Sequence, residues 1–263
     1  MGGVSIPEQP PIPGYEAIRL LGINRGAVYL ARHSGSGALV VLKVWHTEFA
    51  GHARDLVAPS ARFNHPNIIR VLEMGEFEGR FFCALEYVGR CLADWLQEGP
   101  LPDVEVARVA RAVGSALQYA RDQGMVPLSL APTSIFLTDE DVPKLSDFCA
   151  SETFGRPPNL PPPALMPPEC VLGADDTSEA VLVYRVGALM YELLTATRPF
   201  AADSAAATLM RVLYEMPEPA WQVNPKVGRH LDALCRKCLA KEPKERYASL
   251  RDLTDHLEPF ASS

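Results

Sequence analysis

The sequence lacks the features that would take a chain out of the ordinary folded, soluble class. Its six cysteines are Cys83, Cys91, Cys149, Cys170, Cys235 and Cys238. They are too sparse for a disulfide scaffold in a chain this long, so a reducing, cytoplasmic setting is expected. No apolar run approaches the length of a membrane span, and no charged-then-apolar segment resembling a secretory signal opens the chain. Met1-Gly2 is followed by Ile6 where a myristoylation motif wants Ser or Thr. There is no surplus of positive charge: 25 Lys and Arg stand against 32 Asp and Glu, a net charge of −7. Neither nucleic acid nor an anionic membrane is therefore an expected partner. Internal repeats and the G-x-S-x-G signature of serine hydrolases are also missing. No residue pattern fixes an oligomeric state.

What is present reads as a globular protein. The 263 residues, 48% of them apolar, suffice for one large domain or two lobes. Residues 1–13 carry Pro7, Pro10, Pro11 and Pro13 and read as an extended, proline-rich tail. β-rich runs follow at Tyr15 to Leu21, Ala27 to His33, Ala38 to Trp45 and Arg80 to Val88, punctuated by glycines. After Gly89 the periodicity becomes helical. Pro102 to Arg121 places Val106, Val109, Ala110, Val113, Ala116, Leu117 and Ala120 on one face, and Gly124 is a stop signal. Glu179 to Leu194 is apolar nearly all round, which predicts a buried helix. Leu231 to Leu239 and Ser249 to Leu257 are amphipathic, the second opening on a weak capping box, Ser249 to Asp252. The shift near residue 89 sets the expected boundaries: residues 14–88 strand-rich, residues 89–263 mainly helical.

Eight motifs occur in order along the chain. They are Tyr15 to Gly22, Val28-Tyr29-Leu30-Ala31, Val40-Val41-Leu42-Lys43, Asn64-His65-Pro66-Asn67-Ile68-Ile69, Leu85-Glu86-Tyr87-Val88, Lys144-Leu145-Ser146-Asp147-Phe148-Cys149, Met166-Pro167-Pro168-Glu169, and Lys237-Cys238-Leu239 through Arg246-Tyr247. In this order they resemble a bacterial-type serine/threonine protein kinase domain from residue 14 to about residue 260. The resemblance implies an α+β, two-lobed protein kinase-like fold. Its small lobe is a five-stranded antiparallel β-sheet, and its larger lobe is mainly α-helical.

The chain departs from the family pattern where the family does its chemistry. Val126 to Leu137 sits where kinases carry H-R-D-L-K-P-x-N-I-L-L. The proton-accepting Asp is replaced by Ser129, the loop Lys by Ala131 and the metal-binding Asn by Ser134. The glycine loop, Gly22 to Val28, is one residue short and has two glycines, not three. Leu56 stands at the position of the helix Glu that pairs with the strand Lys, so Lys43 is expected to lack that partner. Val41 and Phe136 enlarge positions that line the adenine in the family. Leu182 replaces the aspartate that holds the catalytic loop. The activation segment, Asp147 to Glu169, is short and rich in proline, with only Ser151 and Thr153 as hydroxyl residues after Phe148. Glu169 and Arg246, by contrast, match the family's buried ion pair.

These departures lead to the expectation of a non-enzyme: a pseudokinase acting as a regulatory or scaffolding module with a protein partner and no resident cofactor. The alternative is a nucleotide-binding switch or an atypical serine/threonine kinase, in which Lys43 and Asp147 hold ATP and magnesium. Cys235 and Cys238 read as buried core thiols, because no second ligand pair for zinc follows them. Pro158-Asn159-Leu160-Pro161 fits P-x-x-P but reads as a rigid loop before it reads as a ligand. Lys237, Lys241, Lys244 and Arg246, interrupted by Glu242 and Glu245, read as a solvated helix face.

Overall fold

The computed structural model describes residues 12–23, 26–126, 130–146, 163–174 and 177–261. They fall into two compact units, one ending at Val88 and the other beginning at Gly89.

The first unit is built on a five-stranded antiparallel sheet in the order β1-β2-β3-β5-β4. Its strands are β1 (Tyr15–Ile23), β2 (Gly26–His33), β3 (Leu39–Trp45), β4 (Val71–Phe77) and β5 (Arg80–Glu86). Period-two alternation sorts β3 onto two faces. Val40, Leu42 and Val44 join Tyr29, Ala31, Phe82 and Ala84 in one buried cluster. Trp45 instead joins Phe81 and Cys83 in a second cluster, together with Ala50, Ala53 and Val57. The last three belong to α1 (Ala50–Val57), which packs against β5. The helix ends before Pro59, as expected of a residue that cannot continue it. β4 is the strand that no apolar run announced. It is an edge strand, and Leu72, Glu73, Met74 and Glu76 are all exposed, so it carries little hydrophobic alternation.

The second unit holds the three-stranded sheet β6 (Arg90–Cys91), β7 (Ile135–Leu137) and β8 (Pro143–Leu145). Its helices are α2 (Leu92–Leu96), α3 (Asp103–Asp122), α4 (Pro168–Val171), α5 (Glu179–Thr195), α6 (Ala205–Tyr214), α7 (Ala220–Val223), α8 (Arg229–Cys238) and α9 (Leu250–Ala261). In α5 every residue from Val181 to Thr195 is buried, because α3, α8 and α9 all pack against it. Ser178 caps its start by accepting from Val181 N. Glu179, in the first turn, accepts from Arg121 of α3 (2.7 Å) and from the Leu250 amide that opens α9 (2.9 Å). One carboxylate thus ties three helices. α9 is capped as anticipated: Ser249 Oγ accepts from Asp252 N (3.0 Å), and the Asp252 carboxylate accepts from Ala248 N (3.1 Å).

Two close approaches decide how these helices cross. A methyl group on Gly187 would meet Cys238 Cβ at 2.4 Å, and one on Gly114 would meet Thr254 Cγ2 at 2.7 Å. α5 therefore touches α8, and α3 touches α9, nearly backbone to side-chain root.

The ion pair between Glu169 and Arg246 is bidentate, with Nη1 to Oε1 at 2.6 Å and Nη2 to Oε2 at 2.8 Å. The remaining guanidinium protons go to the carbonyls of Ala180 (2.9 Å), Ala240 (2.8 Å) and Lys241 (3.1 Å). The Arg246 side chain is fully buried, and its plane lies over the Tyr184 ring at 4.8 Å. All five donors are satisfied, the condition under which burying a charge is tolerable.

Two outcomes follow. Arg246→Ala should cost about 3–5 kcal/mol in urea denaturation, because it strands a buried carboxylate. Arg246→Lys should recover only part of this, having three donors where five are needed. Gly187→Ala should cost about 1–3 kcal/mol in the same assay, because α8 must shift to admit the methyl group.

Candidate functional site

Lys43 lies in β3, opposite Val28 of β2 and Cys83 of β5. Alternation puts it on the face shared by Val41 and Trp45, the face against which α1 packs. The register is firm because both neighbouring strands pair with β3 continuously through this point. Leu56 is half-buried on α1, and Asp55 beside it has a side chain that is 81% exposed. Leu56 has no carboxylate to offer Lys43, and the half-buried Lys43 has an interaction of another kind. An ammonium on a half-buried sheet face loses much of its hydration, and a group there is held by what replaces the water.

The two loop glycines have different reasons to be there. Gly26 opens β2 opposite Trp45, where a Cβ would sit 2.0 Å from the Val44 carbonyl oxygen. It is a requirement of strand packing. Gly22 has nothing within 4 Å of such a position.

In the second unit the residues around the old catalytic loop form a closed local structure. Ser134 Oγ donates to the Ala131 carbonyl (2.9 Å) and accepts from the Ala131 amide (3.3 Å). Its own carbonyl accepts from Ser146 N at 2.8 Å. The residue at the metal-binding position is therefore spent on stapling its loop and joining it to the end of β8. Ala131 is half-buried and carries no functional group. Cys91 of β6 donates its Sγ–H toward the Pro132 carbonyl at 3.6 Å. Phe136 sits mid-strand in β7, paired with Cys91 and Lys144. Leu182 is wholly buried in α5. Ser129, Asp147 and the proline motif of residues 158–161 lie outside the described residues.

Cys235 and Cys238 are fully buried on α8, and Cys235 Sγ donates to the Gly187 carbonyl at 3.4 Å. Burial pushes both thiols well above their ordinary range, so they are inert packing groups. Among the described residues no group of three or more His, Cys, Asp and Glu side chains is placed to hold a metal ion. The basic cluster is only in part the solvated face it was expected to be: Lys237 and Lys244 are exposed, whereas Lys241 is half-buried and Arg246 buried. Lys241 donates to the Val212 carbonyl at 2.6 Å and lies 3.8 Å over the Phe200 ring. Burial, with the Arg246 charge adding to it, pushes its pKa down to about 8. Lys237 covers Tyr247, and Arg246 is the buried ion-pair partner. The orphan carbonyls at the end of α6 and the aromatic rings recruit these cations, which spacing along the chain did not reveal.

The protein kinase domain family matches residues 15–257. The chain belongs to the protein kinase family. It is 31% identical to the serine/threonine-protein kinase PknJ of Mycobacterium tuberculosis over 260 residues, 90% of this chain and 43% of that protein. It is 30% identical to the serine/threonine-protein kinase Pkn1 of Myxococcus xanthus over 275 residues, 95% of this chain and 39% of that one. The crystal structure of a single-site mutant of the Mycobacterium tuberculosis PknI kinase domain matches with a TM-score of 0.70 and 27% identity, covering 95% of this chain and 96% of that one. The chain spans about two fifths of the length of the curated relatives PknJ and Pkn1.

These relatives correct one expectation. The emptied loop pointed to a non-enzyme, but the chain belongs to a family of enzymes and its relatives are named serine/threonine protein kinases. The physical error was to equate a missing base with a missing reaction. Phosphoryl transfer asks the protein mainly for positioning and charge stabilisation, with little covalent chemistry of its own.

His65 shows the pH behaviour of a structural residue. Its Nδ1 accepts from Asn67 N at 3.1 Å, and burial lowers its pKa from the usual 6.5. The folded state therefore binds fewer protons than the unfolded one. The stability His65 contributes is complete above the unfolded value and is lost as the pH falls through the lowered folded value. The stability of His65→Asn should fall less steeply than that of the parent between about pH 7 and pH 5, as read by urea midpoints.

Proposed function

We propose that this chain is a serine/threonine-type protein kinase domain of atypical site chemistry. It takes ATP and magnesium as its nucleotide substrate, works through Lys43 and Asp147, and acts with a protein partner. The observation that supports this reading best is Lys43. It is fixed by continuous pairing on both sides of β3 in a chain that matches the family from residue 15 to residue 257. The free cysteines at 83, 91, 170, 235 and 238 are in keeping with a reducing, cytoplasmic setting. No helix among the described residues is long and apolar enough to cross a membrane.

The residues fit one metal better than two. Asp147 brings the carboxylate that a hard cation prefers. Ser134 is a poor second ligand, because its proton is given to the Ala131 carbonyl and one lone pair is taken by the Ala131 amide. Lys43 supplies a point charge toward phosphate oxygens. In the transfer, the bond from the γ-phosphorus to the bridging oxygen breaks and a bond to the acceptor hydroxyl oxygen forms. With no carboxylate at position 129 to receive it, the acceptor's proton would pass to an oxygen of the transferred phosphoryl group or to water. Charge stabilisation by Lys43, and by the magnesium ion that Asp147 would hold, would carry the remaining catalysis. Turnover should therefore fall well below the roughly 1–100 s⁻¹ of ordinary kinases.

The test pairs thermal unfolding with phosphate transfer. Millimolar ATP with magnesium should raise the melting temperature and support slow transfer from radiolabelled ATP. Lys43→Ala and Asp147→Asn should each abolish both. Neither a shift nor transfer in the parent chain would refute the reading, and a shift without transfer would confine it to nucleotide binding.

A further inference from the structure

The stretch from Trp221 to Leu231 carries Lys226, Arg229 and His230 and no acidic residue, in a chain whose net charge is −7. All three basic side chains are exposed. The Arg229 guanidinium lies 3.5 Å over the half-buried Trp221 ring. Among the described residues no ion pair holds Lys226, Arg229 or His230. Other cations of the helical unit are used inside it. Arg108 pairs with Glu105, Arg121 with Glu179 and Arg246 with Glu169. Lys241 donates to the Val212 carbonyl, and Lys237 covers Tyr247.

The fold gives these three residues no such task. Other groups seat α7 and α8. The buried Asp232 accepts from the Ala220 amide at 2.6 Å, Asn224 Nδ2 donates to the Leu194 carbonyl of α5 at 2.8 Å, and Asp103 of α3 accepts from the Gly228 amide at 2.8 Å. The acids of this region are thus spent on backbone amides, and the cations are left facing water. Arg229 and His230 also stand in the first turn of α8, where a positive side chain is disfavoured by the helix dipole. A neutral side chain would cover the indole without that cost. A local rule broken with no gain to the fold marks a surface kept for something else.

We propose that Trp221, Lys226 and Arg229, with His230 beside them, form a docking surface for an acidic peptide segment of a protein partner. Arg229 suits a carboxylate, which its planar fork can bind through two parallel hydrogen bonds. Its stacking on Trp221 holds that fork in place beforehand, so little order is lost on binding. Lys226 supplies a point charge for a second carboxylate. An apolar side chain between the two acids lies against the open part of the indole. Extended polyanions fit less well. The patch spans only a short helix, a turn and the start of α8, and the chain's overall negative charge opposes a membrane or nucleic acid that must meet more than this patch. A short acidic segment meets the patch alone. The inference gives a surface to the protein partner of the reading above, rests on that part of it, and needs no nucleotide.

The experiment titrates the full chain, without nucleotide, with the blocked peptide Glu-Glu-Leu-Glu-Glu at low ionic strength, read by calorimetry and tryptophan fluorescence. Its glutamine counterpart, phosphatidylserine vesicles and an oligothymidylate are the comparison probes. The acidic peptide should bind, more weakly as salt is added, and the glutamine peptide should not. The double variant Lys226→Gln with Arg229→Gln should bind it about fivefold more weakly, the worth of two exposed charge pairs. That variant should melt at or above the parent temperature, since it relieves the first turn of α8. If it melts below the parent, Lys226→Gln alone, on the exposed turn, gives the same comparison. No binding of the acidic peptide, equal binding of the glutamine peptide, or unchanged affinity in the variant overturns the proposal. Variant-sensitive binding of the vesicles or the oligonucleotide, with none of the peptide, also overturns it and assigns the patch to that polyanion. Failure of the peptide leaves the nucleotide reading standing, because that reading is tested by ATP and magnesium alone.

Discussion

The helical unit depends on one buried charge. Arg246 is held by a carboxylate and three backbone carbonyls, with no donor left over. Those acceptors come from three stretches of chain: Glu169 in α4, Ala180 at the start of α5, and Ala240 and Lys241 after α8. The site is formed only when all of them are in place, because a partly satisfied buried charge is worse than none. The short helix α4, the buried helix α5 and the turn after α8 are thereby locked to one arrangement. Glu179, one residue before Ala180, does the same for α3 and α9.

In the strand-rich unit the corresponding constraint is the register of β3. A slip of one residue would exchange Val40, Leu42 and Val44 with Val41, Lys43 and Trp45 across the sheet. The ammonium would enter the apolar cluster around Tyr29 and Phe82, and the indole would leave its contact with Phe81. Both changes are strongly unfavourable, so the apolar pattern of β3 is itself what aims Lys43. Position and chemistry are coupled here, since the same alternation that folds the sheet places the strand's one cation.

The loop near Ser134 shows a different relation. A serine in place of an amide side chain is short enough to turn back on its own loop, and it does so through both its proton and a lone pair. The loop keeps its shape while the group that shapes it is withdrawn from metal chemistry. The tie from Ser134 to Ser146 then carries that shape to the residue beside Asp147. A loop with altered chemistry is thus still well formed, and it stays in a chain that retains the family's fold from one end to the other.

Much of this was readable in the residues. Alternation gave β1, β2, β3 and β5, and helical periodicity gave α3, α5, α8 and α9, because each has one face or stripe that must leave water. β4 was not readable, since an edge strand can stay half-solvated and needs no alternation. The identities at 129, 131 and 134 were plain as letters. What Ser134 bonds to was not, because a hydroxyl has several possible partners and only the folded loop selects one. The basic residues near the C-terminus read as a solvated face, but carbonyls and rings from distant elements claim Lys237, Lys241 and Arg246. By itself the sequence determined the fold family, the placement of Lys43 and the pairing of Glu169 with Arg246, all of which follow from burial patterns and ordered motifs. Tertiary structure alone decided that Gly26 serves strand packing, that Lys241 caps α6, and that the Ser134 carbonyl accepts from the Ser146 amide. Each of these depends on which atoms lie within about 3 Å, and separation along the chain does not encode that distance.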